Sequence, residues 1–287
     1  MTSREEGFLL LCGRLGNPGR RPLTPAQLKQ LSRRVAAADR SSEDKEMELS
    51  DLLDMGCSEE LAGRILSLLS DHASMQEYLA RGRTNGCRPL TRLSSDYPQR
   101  LLQCLDWDAP ACLWFKGDHR LLNRPAVALV GNRDLEEENE CFAREIGLLA
   151  ARMGYVLISG NARGADTVAQ ESCLRAGGGV ICVVADRLYD KPIQKSVLYL
   201  SEEGFDLPFT SQRALSRNRL IHCMGQKTFV AQCQSCSGGT WDGTYHNLKG
   251  GWSPVFCISD GSEGILELQK MGATAAEVVD LHKILDE

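Results

Sequence analysis

The sequence predicts an α/β fold, a doubly wound parallel sheet preceded by a small helical domain. Three observations carry that expectation. Unbroken apolar runs of four or five residues recur through the second half of the chain, helix-forming segments alternate with them, and small-residue turns follow several of them. Such runs mark strands buried on both faces, and their alternation with helices marks parallel pairing through crossovers.

Residues 1–85 read as mostly helical. Thr24 followed by Pro25 supplies an N-cap and a proline at the first helical position, opening a helix through Val35. Ala36 to Lys45 is polar and reads as a loop. A second helix spans Leu49 to Met55 and stops at Gly56. Ser58-Glu59-Glu60-Leu61 caps a third, with Leu61, Ile65, Leu68 and Leu69 on one face. The helix–Met-Gly-Cys–helix pattern from Leu52 to Leu69 resembles a SAM-like or helix-hairpin-helix module. It is read as a packing unit rather than a DNA site, because a fold alone does not give a function. Residues 86–124 form a connecting lead-in, where Tyr97 and Trp114 read as core residues tying an extended arm to the sheet rather than as base-stacking platforms.

Residues 125–287 carry the sheet. Ala126-Val127-Ala128-Leu129-Val130 is a strand, broken by Gly131-Asn132-Arg133, and an acidic helix runs on to about Met153. After Gly154, Tyr155-Val156-Leu157-Ile158 is a second strand, ending in Ser159-Gly160-Asn161-Ala162-Arg163-Gly164-Ala165-Asp166. This is one βαβ unit with a right-handed crossover. A helix from Thr167 to Ala176 leads to the strand Val180 to Val184. Ile193 to Glu203 reads as helical, and Gly204 to Pro208 as extended. Arg213 to Met224 is the most basic helix, Lys227 to Ala231 a fourth strand, and Pro254 to Ile258 a fifth. Glu263 to Met271 and Thr274 to Leu285 read as helices.

The bulk properties narrow the class. At 287 residues the chain buries a sizeable core, and 43% hydrophobic with 25% charged residues is ordinary globular composition. No apolar stretch approaches the roughly 20 residues of a membrane span. The N-terminal stretch lacks the pattern of a signal peptide. Net charge is −5, so any nucleic-acid binding must come from a local patch. Twelve cysteines lie scattered, most in apolar segments, which points to small buried thiols in a reduced, cytoplasmic protein. Cys233-Gln234-Ser235-Cys236 is a lone CxxC without a second ligand pair, so no metal is assigned.

Both turns of the βαβ unit lie at the carboxyl edge of the sheet, where open α/β folds bind ligands. Their small residues let backbone N–H groups face an anion, and each turn carries an arginine, Arg133 and Arg163. No H-E-x-x-H, G-x-S-x-G or Walker A motif is present, and no catalytic constellation emerges.

These motifs resemble one family closely. VGNR and SGNARGAD are similar to the VGSR and SGxARGID pair of the DprA/Smf family, the DNA-processing proteins of natural transformation. Leu215-Ser216-Arg217-Asn218-Arg219-Leu220-Ile221 resembles that family's RNRII block, and Ser237-Gly238-Gly239-Thr240 falls at its SGS/SGT turn. The resemblance covers roughly residues 95 to 260. It implies an extended Rossmann-like domain that binds single-stranded DNA, forms a homodimer and loads the RecA recombinase, with no cofactor, no membrane association and no catalysis.

Carried onto this chain, the phosphate-binding set is Gly131, Asn132, Arg133, Ser159, Gly160, Arg163, Arg217, Asn218, Arg219, Ser237, Gly238, Gly239 and Thr240. Arg217 and Arg219 lie two apart on a helix and cannot face the same way, so one is expected to face the site and the other to pair with a structural carboxylate. The chain departs from the family at Cys236, where lysine is usual, at Gln170, where histidine is usual, and after Thr240, where Trp241-Asp242-Gly243 replaces the family's pattern. It also ends at Glu287 without the winged-helix tail of many members. The alternative is a nucleotide-binding protein or a LOG-like nucleoside monophosphate phosphoribohydrolase, since Ser237-Gly238-Gly239-Thr240 faintly resembles that group's PGGxGT loop.

Overall fold

A computed structural model of the chain describes residues 1–38 and 46–286. Most of the expected loop at Ala36 to Lys45 lies outside the described residues. Five helices come first: α1 (Ser3–Cys12), α2 (Pro25–Ala37), α3 (Leu49–Asp54), α4 (Glu59–Leu69) and α5 (His72–Thr84). Thr24 caps α2 reciprocally with Gln27, and Ser58 accepts the Leu61 N–H at the start of α4. Helices α2, α3 and α4 bury Leu28, Leu31, Leu52, Ile65 and Leu68 in a small core of their own. Helices α1 and α5 instead send Leu9, Leu10, Met75 and Tyr78 into the main core.

The rest of the chain forms β1 (Arg88–Thr91), α6 (Gln99–Leu105), β2 (Cys112–Gly117), β3 (Ala126–Val130), α7 (Glu137–Arg152), β4 (Val156–Ser159), α8 (Ala165–Arg175) and β5 (Gly179–Val184). It continues with β6 (Val197–Glu202), α9 (Ser211–Met224), β7 (Thr228–Val230), α10 (Gly238–Gly250), β8 (Val255–Ile258), α11 (Glu263–Lys270), β9 (Thr274–Ala276) and α12 (Leu281–Asp286). The sheet has nine strands in the order β1-β2-β6-β5-β4-β3-β7-β8-β9. Strands β6 through β9 pair in parallel, while β1–β2 and β2–β6 are antiparallel. The chain leaves β3 toward β4, β5 and β6, then returns to the other flank of β3 as β7. That reversal between β3 and β7 is the switch point where ligands bind in doubly wound sheets.

The Rossmann-like α/β architecture is present, with three local differences. Residues 86–124 contribute β1 and β2 to the same sheet, and Tyr97 and Trp114 are each 1% exposed, in the core. Ile193 to Glu203 is not a helix: Val197-Leu198-Tyr199-Leu200 is strand β6, sealed between β5 and β2. A short apolar run has no periodicity that separates strand from buried helix, and its β-branched and aromatic residues favour the strand. Thr274 to Leu285 also divides, because Gly272 (φ 110°) turns the chain and Thr274–Ala276 pairs with β8 before α12 begins.

Candidate nucleic-acid interface

The carboxyl ends of β3 and β7 open onto a cavity of about 720 Å³. Gly131 forms its floor. A Cβ there would stand 2.6 Å from the Ala165 Cβ and 3.3 Å from the Ala231 Cβ, so only glycine lets β3, α8 and β7 converge. The two expected turns meet directly: the Ala165 N–H donates to the Asn132 carbonyl at 3.1 Å. Gly164 (φ 84°) fits the contact because a side chain would strike the Asn132 and Arg133 carbonyls.

The start of α10 forms the opposite wall, tied down at two points. Thr240 Oγ1 donates to the Gly131 carbonyl at 2.9 Å, and Asn218 Nδ2 donates to the Gly239 carbonyl at 3.0 Å. Behind them lies a buried network. Asn247 Nδ2 reaches His222 Nδ1 at 3.2 Å and Ser253 Oγ at 3.0 Å, and Asn247 Oδ1 accepts the Ser253 N–H at 2.9 Å. This network pins α9, α10 and the entry to β8 against one another. Burial pushes the His222 imidazole down to about 3, so it is neutral.

Arg133 and Arg217 both line the cavity. Arg133 is exposed and has no carboxylate partner among the described residues. Arg217 lies flat on Gly160, where an added Cβ would fall 1.6 Å from its Nη1. Its Nε is sealed from water and has no acceptor among the described residues. Desolvation lowers the Arg217 pKa, and the nearby Asp166 carboxylate offsets part of that shift. Asp166 itself accepts the N–H groups of Gly160 and Ala162, both at 3.0 Å, and burial raises its pKa against the pull of Arg217. The arrangement sets a partly buried guanidinium, its Nε unfilled, beside the same cavity as an exposed one. Such a pair suits a phosphate, whose oxygens accept from planar forks.

Of the expected set, the cavity brings together Gly131, Asn132, Arg133, Arg217, Asn218, Ser237, Gly238, Gly239 and Thr240. Ser159 and Gly160 lie behind it. Ser159 is fully buried, and its hydroxyl accepts from Gln170 Nε2, the residue at the family's histidine position. Gly160 acts as the bed for Arg217. Arg163 is absent from the lining and pairs with Asp134 at 2.8 Å, both side chains exposed. Arg219 is a correction. Two residues along α9 from Arg217, it points to the other flank, where it pairs with Glu202 and donates to the Asp108 carbonyl.

Three further lining residues bring apolar surface. Phe209 is 54% exposed, Leu215 is 45% exposed, and Trp241 is partly buried. Phe209 was legible in outline. It precedes the N-cap Thr210, a position that usually packs against the fourth helical residue, and here that residue is the small Ala214. All twelve cysteines are free thiols, with Cys233 buried and Cys236 exposed on the cavity rim. Among the described residues no group of three or more His, Cys, Asp or Glu is placed to hold a metal, and no helix is long and apolar enough to cross a membrane.

Comparison with known proteins follows the same geometry. The chain is 31% identical over 156 residues to the DNA processing protein DprA of Streptococcus pneumoniae, covering 51% of this chain and 54% of that protein. It is 28% identical over 196 residues to the Smf protein of Escherichia coli, covering 63% of this chain and 51% of that one. The chain thus spans about half the length of these curated relatives. Among solved structures, DprA from S. pneumoniae superposes with a TM-score of 0.71 at 24% identity, covering 96% of this chain and 95% of that one. DprA from Helicobacter pylori, described for its single-stranded DNA binding mode, gives 0.59 at 23% identity, covering 69% and 95%. Both establish the shared fold. The family model for DNA recombination-mediator protein A matches residues 88–286, and the chain belongs to that DprA/Smf family.

Proposed function

We propose that this protein is a cytoplasmic, non-enzymatic binder of single-stranded DNA that acts in DNA uptake and recombination, passing the strand to a RecA-type recombinase as a homodimer. The observation that carries the reading is the convergence of Arg133 and Arg217 on one cavity at the switch point, walled by small-residue turns. Arginine forks receive phosphates, and the exposed Phe209, Leu215 and Trp241 give bases apolar surface to lie on. The single-stranded DNA binding mode described for the H. pylori relative supports the same class of ligand. The twelve free thiols support a reducing compartment.

Fluorescence anisotropy with a labelled oligonucleotide tests it. Arg133→Ala is expected to weaken binding about tenfold or more, the loss of one charge-assisted hydrogen bond. Unchanged affinity removes the cavity as the site. The alternative, cleavage of a nucleoside monophosphate, rests on the Ser237-Gly238-Gly239-Thr240 turn that lines the same cavity. Free base released from nucleoside monophosphates would replace the DNA reading with that one.

A further inference from the structure

A second cavity, also of about 720 Å³, lies on the far flank of α9 between the N-terminal helices and the sheet edge. Its outer wall is the loop from Gly13 to Thr24, which joins α1 to α2. The loop is rigidly placed. Leu15 (φ 52°) and Gly16 (φ 73°) turn it through two successive left-handed residues, and a side chain at Gly16 would stand 2.9 Å from the Tyr78 ring. Arg20 then staples it down, donating to the carbonyls of Gly13 (2.9 Å), Leu10 (2.8 Å) and Leu68 (3.2 Å) and pairing with Asp71.

Two arginines of this cavity are therefore structural, Arg20 with Asp71 and Arg219 with Glu202. Three others are not. Arg14 makes one long hydrogen bond, 3.4 Å to the Pro18 carbonyl. Arg21 and Arg64 have no acceptor among the described residues, and the Arg64 Nε is sealed from water. The remaining carboxylates of the lining, Asp108 and Glu203, are both solvent-exposed. A guanidinium stays charged at any physiological pH, so three guanidinium groups without a carboxylate partner on one cavity wall suit an anion.

We propose that this cavity is a second anion site that takes a small organic phosphate, gripped by Arg64, Arg21 and Arg14. Three forked donors match the several oxygens of a phosphate better than the two of a carboxylate. The volume exceeds what one inorganic anion fills and lies in the range of small-molecule sites. Leu15, Leu23 and Leu28 supply an apolar wall for the body of the ligand. The site is separate from the proposed DNA cavity, because α9 stands between them with Arg217 facing one and Arg219 the other.

Isothermal titration calorimetry of the full chain with ADP, and with inorganic phosphate as comparator, tests this. ADP is expected to bind at one saturable site and more tightly than phosphate. Arg64→Gln and Arg21→Ala are each expected to weaken ADP about tenfold or more, while Arg133→Ala leaves it within about twofold. Arg21 is exposed on the loop, so its variant carries the test if Arg64→Gln does not fold. Absence of ADP binding, equal affinity for phosphate and ADP, or affinity lost with Arg133→Ala but kept in the folded Arg64 or Arg21 variants would each overturn the proposal. Failure of oligonucleotide binding leaves these outcomes unaffected.

Discussion

Arg217 shows how a single side chain is committed by what lies beneath it. The absent side chain of Gly160 leaves the bed on which its guanidinium rests, and the buried Asp166 carboxylate balances its charge without filling its Nε. Gly160→Ala tests that dependence. The new methyl group would occupy the guanidinium's place, so Arg217 must swing out or the turn must shift. Oligonucleotide affinity is expected to fall about tenfold, comparable with losing the contact itself, with a stability cost of about 1–3 kcal/mol from overpacking. Anisotropy and urea unfolding of the same variant separate the two effects. Wild-type affinity in Gly160→Ala would show that Arg217 does not touch the ligand. The residue scale is also where the sequence was least legible. Arg163 and Arg219 carry the same motif signal as Arg133 and Arg217, and only the structure shows that Arg219 is held by the half-buried Glu202 while Arg163 meets Asp134 at the surface.

At the level of elements, α9 does three jobs with three arginines. Arg213 near its start binds the carbonyls of Ala185, Leu207 and Pro208, fixing the loop that carries Phe209. Arg217 faces the cavity, and Arg219 locks the helix to β6 through Glu202, whose own pKa burial raises. His222, further along, joins α9 to α10 through Asn247. Its pKa is held near 3 in the folded state, against an ordinary value of about 6.5. Between those values the unfolded chain binds a proton that the folded chain refuses. Stability therefore falls as pH drops through the window and levels off below about 3. Well inside it, each pH unit costs about 1.4 kcal/mol. Urea unfolding at pH 7 and pH 5 is expected to show a larger acid loss for the wild type than for His222→Gln. Equal losses would mean the imidazole finds a way to charge in place.

Across the whole molecule, the electrostatics are local. The chain carries a net charge of −5, and the cavity at the switch point is lined by two arginines, Arg133 and Arg217, that form no ion pair among the described residues. For single strands each neutralised phosphate contributes about −0.7 to the slope of log affinity against log salt. Two contacts give a slope of about −1.4, measurable by repeating the anisotropy titration across salt. A slope of about −4 or steeper would place most contacts outside the cavity.

The architecture was readable at this scale. Apolar runs marked β3, β4, β5, β7 and β8, and the motif turns marked their carboxyl ends. What escaped was set by tertiary context. β6 has no polar alternation to betray it because both faces are covered, and β9 is three residues long and exists only by pairing with β8. The second cavity escaped as well, since its arginines come from segments without any motif in common.

The buried contacts among His222, Asn247 and Ser253 have one more consequence. They hold the two jaws of the arginine cleft at a set separation, with Thr240 and Asn218 latching the same jaws from the front. A cleft braced on both sides in this way leaves much of the accommodation to its guest. A duplex, stiff over about 150 base pairs, would have to be broken to enter, whereas a lone strand can curl and offer its phosphates one at a time.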